Sequence, residues 1–401
     1  MSEDAPSISP AALQERIDRG DPVRVLDLRN RDEVDRWRLA GPAVTVTQRS
    51  NAKFIQATVT DAVDEFVADI EGEGPIVAVC ARGEASREAA AELAARGHDA
   101  RNLKGGMEAW ARLLTATELP VPGGASDAPT VVQYRRPASG CLGYLVVSGA
   151  SAAVVDPLRA FTDRYVADAR ERGATVETVV DTHVHADHVS GLRELAAATG
   201  ADAVMPAEAV ARGVTYDVET VADGDELAVG DAMLTAVHAP GHTTGMAAFA
   251  AGGSTGEVDP GVDAPVLLTG DSLFVGGVAR PDLERGDEGA RELARQLHRT
   301  LTDRFARFSD ETLVAPGHHA EGARPDESGA VTAPLGEMRE LRAFDMDADE
   351  FVTYVTGDMP PRPANFERVI AVNLGRETVD AAAAFELELG PNNCAATPAD
   401  D

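Results

Sequence analysis

The stretch THVHADHVSG, residues 182–191, sets three histidines and an aspartate within its first seven positions, while the rest of the 401-residue chain holds six of the nine histidines. The residues leading into it, VETVVDTHV, read as a strand, and GLRELAAATG reads as the helix that follows. The cluster therefore lies on a strand-to-helix loop. His183 and His185 are two apart, which points them to one side of an extended segment, and Asp187 and His188 sit just ahead of the helix. Imidazole and carboxylate converging at a strand end make a metal site. The competing reading is a set of turn or capping residues; three histidines together outweigh it.

Neighbours on one loop cannot complete a coordination sphere, so partners are expected downstream. His242 lies in APGHTTG just past the strand-like run DAMLTAVHA, Asp271 in LLTGDSLF at the end of an apolar strand, and His318 in TLVAPGH, again at a strand end. Open α/β architectures place their chemistry at such sheet edges. Each of the three alone reads equally well as a turn residue beside glycine; as a set they favour metal.

The chain is long enough for two or three domains. The segment ELPVPGGASDAPT (118–130), rich in proline, glycine and small polar residues, reads as a linker. It leaves an N-terminal domain at 1–118, a linker at 119–129, a larger domain at 130–395 and a tail at 396–401, with the closing NNCAATPADD expected to fray. In the small domain, SPAALQERI, DAVDEFVADI and REAAAELAARG read as helices and VRVLDL and PIVAVC as buried strands. That alternation implies a mostly parallel sheet flanked by helices. The large domain opens with consecutive antiparallel strands in VVQYRRPASGCLGYLVVSGASAAVVDP and then alternates, an order that two sheets with helices outside would accommodate.

THVHADH, GHTTG, TGDSLF and APGH, in that order, resemble the metal motifs of the metallo-β-lactamase fold, and the likeness covers most of residues 130–395. The resemblance implies an α/β fold in which the C-terminal domain is an αββα sandwich. It also implies seven metal-site positions: His183, His185, Asp187, His188, His242, Asp271 and His318. Within that fold, GDSLFVGGVARPDL (270–283), ASGCLGYLVV and PRPANFERVIAVNLG resemble persulfide dioxygenases, which oxidise a thiol persulfide with O2 to sulfite and thiol. That likeness implies one Fe(II) per chain, held by His183, His242 and Asp271. His185, Asp187, His188 and His318 would then orient the ligands and hold water. Two histidines and a carboxylate with open positions suit ferrous iron. The chain departs from the pattern at His319, where the family has an aspartate, which touches the hydrogen bonding around His318. Arg280 is a candidate clamp for a substrate carboxylate, with an ion pair to Asp282 as the competing reading; Tyr144 and Cys141 read as core. The same ligands also suit a glyoxalase-II-like thioester hydrolase with two zinc ions.

Cys80, in VAVCARGEASREAA, follows a buried strand and precedes a helix, where converging N–H groups favour thiolate. Arg82 and Arg87 stand close by in the sequence. A buried, inert cysteine is the competing reading. VRVLDLRNRDEVDRWRLAGPA (23–43), CARGEASR (80–87) and NLKGGMEAW (102–110) resemble a rhodanese domain. The resemblance implies that Cys80 carries sulfane sulfur as a persulfide, cradled by Ala81, Arg82, Gly83, Glu84, Ala85, Ser86 and Arg87, and that Asp27 and Arg29 are structural. Glu84 would oppose an anionic donor such as thiosulfate.

Net charge is −31, and the only lysines are Lys53 and Lys104. Concentrated salt would screen the self-repulsion such a surface carries, and the composition resembles that of halophile proteins. The same charge disfavours nucleic acid and anionic membranes as partners. Cys80, Cys141 and Cys394 form no disulfide framework, which with the polar N-terminus points to the cytoplasm. The expected partners are a small-molecule thiol persulfide and O2, with thiosulfate or sulfite as further sulfur species; a homo-oligomer is left open. A non-catalytic sulfur-carrier or persulfide-sensing module is the remaining alternative, which the complete ligand set argues against.

Overall fold

Short runs of β-branched and aliphatic residues, punctuated by glycine, build three main sheets. The computed structural model describes residues 5–121, 128–253, 264–319 and 324–396; the middle of the expected linker and the end of the tail lie outside the described residues. Two compact units emerge. One gathers the chain up to Thr115 with Arg136–Ser139 and Leu389–Pro391; the other holds the remainder.

The first unit has five strands: β1 (Ser7–Ile8), β2 (Val23–Asp27), β3 (Val44–Gln48), β4 (Ile76–Val79) and β5 (Ala100–Leu103). They pair in the order β1-β5-β4-β2-β3, all parallel. Parallel strands demand cover on both faces. Helices supply it, among them Pro10–Asp18, capped by Ser9 with proline in its first turn, and Glu84–Ala95. DAVDEFVADI forms a shorter helix than its pattern suggests, Val63–Val67. Asp27 and Arg29 form a buried ion pair at 2.7 Å that ties the end of β2 to the Trp37 carbonyl.

The second unit stacks two sheets. The strands β6 (Thr115–Glu118), β7 (Thr130–Arg136), β8 (Cys141–Ser148), β9 (Ser151–Val155), β10 (Thr175–Val180), β11 (Asp202–Pro206) and β12 (Glu219–Val221) form one sheet, ordered β12-β11-β10-β9-β8-β7-β6. The other is ordered β13-β14-β15-β16-β19-β20. It comprises β13 (Glu226–Val229), β14 (Ala232–His238), β15 (Ala247–Gly253), β16 (Val266–Gly270), β19 (Leu313–Pro316) and β20 (Ala333–Pro334); β17 (Leu273–Phe274) and β18 (Gly277–Val278) pair separately. Val146, Val155 and Val180 from the first sheet meet Leu234, Phe249 and Leu268 from the second in one buried core. Leu293 and Leu297 of the helix Gly286–Arg299 are buried, as are Phe351, Val352 and Val355 of the helix Ala348–Gly357, and these residues cover the second sheet's outer face. This is the expected α/β sandwich.

Two expectations fail. The strand predicted to run through VETVVDTHV ends at Val180, because the peptide of Thr182 turns to donate to the Asp156 carboxylate at 2.7 Å. The end of the chain, read as frayed, is packed as far as it is described: Cys394 and Ala396 are buried, and the Ala396 amide bonds the Val278 carbonyl at 2.9 Å. A cysteine and alanines find more apolar contact there than solvent would give them.

Candidate metal centre and sulfur loop

In the second sheet, β14 is antiparallel to β15, β15 to β16, and β16 is parallel to β19. The ends of β14, β16 and β19 therefore share one edge, and His242, Asp271 and His318 follow those ends. The loop after β10 reaches the same edge, where the Ala247 amide bonds the Thr182 carbonyl at 2.9 Å. Gly270, before Asp271, sits at φ +49°, and a Cβ there would lie 2.1 Å from the Met246 methyl and 2.8 Å from Thr182 Oγ1. The two sheets close on each other here because that position carries no side chain.

All seven predicted residues are buried, His183, His242 and Asp271 completely. They divide into distinct sets. Thr182 Oγ1 donates to Asp156 Oδ2 at 2.9 Å and accepts from His183 Nδ1, also at 2.9 Å, so the free lone pair of His183 is on Nε2. His242 Nδ1 donates to the Arg280 carbonyl at 2.8 Å, which again leaves Nε2 free. These two nitrogens and Asp271 Oδ2 have no hydrogen-bond partner among the described residues. They converge: His183 Nε2 lies 3.9 Å and His242 Nε2 3.7 Å from Asp271 Oδ2. Leaving buried polar atoms unpaired is costly, and two neutral nitrogens with one carboxylate oxygen fit a divalent cation.

His318 stands apart. Its Nδ1 lies 2.5 Å from Asp271 Oδ1 and its Nε2 2.7 Å from Asp187 Oδ2. Burial opposes its charge, but Asp187 and Asp271 on either side hold its pKa well above the ordinary histidine value. His188 is raised in the same way: burial opposes the charge, and Asp187, 3.1 Å from Nδ1, outweighs it. His183 moves the other way, pushed well below the usual value by burial and then by His185 and His242; burial also lowers His242. The cluster thus separates two neutral imidazoles from two charged ones. The departure at His319 leaves His318 undisturbed, since two carboxylates hold both of its nitrogens.

His185 lies beside His183, as expected, with ring centroids 4.2 Å apart; its Nε2 lies 3.1 Å from Asp156 Oδ1, and its Nδ1 has no hydrogen-bond partner among the described residues. Asp156 itself has a left-handed backbone, φ +51°, which costs a non-glycine residue about 1–3 kcal/mol. Its carboxylate is thereby aimed at both Thr182 and His185. Burial pushes the neighbouring Asp181 up to about 6.

Arg280 has the ion pair of its competing reading. It is 1% exposed, bonds Asp282 Oδ1 at 2.6 Å and Oδ2 at 3.1 Å, and donates to the carbonyls of Pro361 and Asn393 at 3.0 Å. A guanidinium committed in this way is not a substrate clamp, so that expectation is withdrawn; the residue's carbonyl orients His242 instead. Tyr144 is core, its hydroxyl donating to the Pro316 carbonyl at 2.5 Å. Sequence reading set Cys141 and Cys394 aside, yet both border the cluster. Cys141 Sγ lies 3.1 Å from Asp187 Oδ2, and Cys394 lies within ligand reach of Asp271 and His318. Burial keeps Cys394 a thiol.

In the first unit, Cys80 directly follows β4 and is half-buried. The amides of Gly83 and Ser86 point at Sγ from 3.1 and 3.5 Å, and the Ser86 hydroxyl lies 3.2 Å away. Burial alone would raise the thiol pKa; the Ser86 hydroxyl and the amides of Ser86, Gly83 and Arg82 outweigh it and lower it. Arg82 does not contribute its guanidinium, which pairs with Glu108 at 3.0 Å in solvent. Glu84 opens the helix Glu84–Ala95, and Ala81 and Arg87 are exposed while Ala85 is partly covered. Gly106 abuts the loop: a Cβ would fall 2.3 Å from the Cys80 carbonyl oxygen.

The metallo-β-lactamase superfamily matches residues 136–318 and the rhodanese-like domain residues 9–113. Hydroxyacylglutathione hydrolase from Rhodospirillum rubrum is 32% identical over 197 residues, 49% of this chain and 68% of that protein. The chain belongs to the metallo-β-lactamase superfamily. This superfamily member, with its N-terminal rhodanese-like domain, is also 26% identical over 258 residues to the human mitochondrial persulfide dioxygenase ETHE1, covering 63% of the chain and 90% of the relative. The crystal structure of ETHE1 from Myxococcus xanthus superposes with a TM-score of 0.50 at 27% identity, covering 61% of this chain and 98% of that one. Among the described residues, no helix of this metallo-β-lactamase-fold protein is long and apolar enough to cross a membrane.

Proposed function

We propose that the chain oxidises a low-molecular-weight thiol persulfide with O2 at a single ferrous ion, and that Cys80 exchanges sulfane sulfur with the same pool. The overall change is RSSH + O2 + H2O → RSH + SO3²⁻ + 2 H⁺, in which the outer sulfur loses four electrons to dioxygen. The observation that carries the reading is the partition of the cluster. Among the described residues, His183 Nε2, His242 Nε2 and Asp271 Oδ2 lie within ligand reach of one another and have no hydrogen-bond partner; His185 Nδ1, Asp187 Oδ1 and His188 Nε2 are unpartnered too, but their residues do not gather with these three into one ligand group. His318 fills the space between Asp187 and Asp271 with its own positive charge. A ferrous ion held there would supply one-electron chemistry that zinc lacks, letting a closed-shell persulfide react with triplet O2.

The chain's own residues prepare that site. Asp156, through Thr182, fixes the His183 tautomer, and the Arg280 carbonyl fixes that of His242. Asp271 divides its oxygens, one for the ion and one for His318. Burial of the whole cluster excludes bulk water. At the other site, the thiolate of Cys80 would attack the outer sulfur of a donor persulfide, expelling the donor thiolate, while the amides around Sγ hold the negative charge. The rhodanese-like domain and the persulfide dioxygenase relatives support this pairing.

Anaerobic reconstitution with Fe(II), followed by O2 uptake and sulfite release with glutathione persulfide, tests the proposal. One iron per chain with stoichiometric O2 uptake is expected, and absence of uptake at both low and high salt would refute it. The likeness to hydroxyacylglutathione hydrolase favours a second reading, a two-metal thioesterase. Two zinc ions per chain and hydrolysis of S-lactoylglutathione would establish that one.

A further inference from the structure

The loop from Asp181 to Ser190 carries four of the clustered side chains, yet it has no regular secondary structure. Its backbone N–H and C=O groups are buried and must find partners. One side chain, almost two hundred positions away, supplies three of them. Asn373 ends the helix Phe366–Asn373 and is 4% exposed. Its Nδ2 donates to the carbonyls of His185 at 3.0 Å and His188 at 2.9 Å, and its Oδ1 accepts the Ser190 amide at 3.0 Å. Both amide hydrogens and one acceptor site are thus spent on this one stretch of loop. Ser190 extends the anchorage, its hydroxyl donating to Asp181 Oδ1 at 2.8 Å and accepting the Leu192 amide at 2.9 Å.

A planar amide fixed at three points leaves its partners little freedom. Without the two donors, the carbonyls of His185 and His188 would be buried and unsatisfied, and the loop would relax to reach other partners. The imidazoles of His183, His185 and His188 would shift with it. The convergence of His183 Nε2 on Asp271 therefore depends on a residue that touches neither ligand. We propose that Asn373 is a positioning residue for the metal loop, its amide setting the backbone from His185 to Ser190 and thereby the affinity of the His183–His242–Asp271 site for its ion. The inference rests on the reading of that triad as a metal site.

The test uses the full chain stripped of metal, with Co(II) alone as the probe, followed through its visible absorption and by chelator competition. Asn373→Asp keeps the shape and the acceptor for Ser190 but loses both donors; Asn373→Ser loses the reach. Val372→Ala, a buried neighbour on the same helix whose side chain packs against Val189 and Val369, serves as the packing control. Both Asn373 variants are expected to bind Co(II) about 10–100-fold more weakly than the unsubstituted protein, with an altered absorption spectrum. Val372→Ala should stay within about twofold even where its Tm falls as far. Equal weakening in the control, or wild-type affinity in the Asn373 variants, would overturn the inference. Should neither variant fold, hydrogen exchange on the unsubstituted apoprotein decides: the Ser190 amide should be among the slowest of the loop, and fast exchange would overturn the inference. Failure of the triad reading looks different. In that case the unsubstituted protein binds no Co(II), or His183→Ala binds as well as it does.

Discussion

Replacing His318 with glutamine removes a group that bonds both Asp271 and Asp187. The ring is 1% exposed, with its nitrogens 2.5 and 2.7 Å from the two carboxylates. Glutamine reaches one of them at most and carries no charge. Burial would raise both carboxylates, but His318, with His188 beside Asp187 and His242 beside Asp271, holds them below the ordinary range; the variant loses the His318 share of that attraction. Removing one partner from a buried ion pair costs about 3–5 kcal/mol. At roughly 2–4 °C per kcal/mol for a large domain, the melting temperature of ion-free protein should drop by about 6–20 °C.

The effect has a pH signature. A histidine whose folded pKa is raised contributes stability in full below its unfolded value, near 6.5, and loses it as pH rises through the folded value. The depressed carboxylates act oppositely, contributing above their unfolded values and losing that contribution as pH falls. The gap between wild type and variant should therefore be widest in mildly acidic solution. It should narrow as the medium becomes alkaline, and again once acid protonates the carboxylates. Calorimetric melts of the ion-free proteins from pH 4 to 10 check this. A shift below about 2 °C at every pH would refute the claim that His318 balances the two carboxylates.

Alkylation of Cys80 by iodoacetamide should show a midpoint below that of a free thiol, and Ser86→Ala should move it upward. Because thiolate is favoured in the folded unit, raising pH through that midpoint should add stability that Cys80→Ala lacks. Asp282→Asn leaves the Arg280 guanidinium one neutral amide oxygen in place of a carboxylate and should destabilise by about 3 kcal/mol or more; ion affinity should fall with it, because the Arg280 carbonyl presents His242. Gly106→Ala, at φ +61° and with its Cβ driven toward the Cys80 carbonyl, should abolish persulfide loading of Cys80, read by mass spectrometry, while leaving Co(II) binding by the second unit unchanged.

The donors of the metal centre were legible because histidine clusters and glycine-preceded strand ends are local signals, and the fold followed from strand–helix alternation together with family resemblance. What orients the donors was not. The Arg280 carbonyl is a backbone group with no mark in the sequence, and Asn373 lies within PRPANFERVIAVNLG with nothing local to tie it to the histidine loop. The end of β10 was misjudged because THV continues its β-branched pattern; the Asp156 carboxylate, just past the end of β9, competes for the Thr182 amide and stops the strand. The packing of Cys394 was missed for a related reason, since short polar runs near a terminus carry no periodicity that would reveal a buried contact. In each case the deciding interaction joins residues far apart along the chain, where neither spacing nor propensity carries information.

Antiparallel pairing of β15 with β16 places Gly253 and Val266 at the rim of the sheet opposite Asp271. Strand β15 thus ends, and β16 begins, on that far side. Loop closure grows only slowly more costly with length, so a reporter peptide or affinity handle inserted between these two strands should be tolerated with the donor atoms still in register. The architecture thus offers an engineering port on the side of the sheet away from its chemistry.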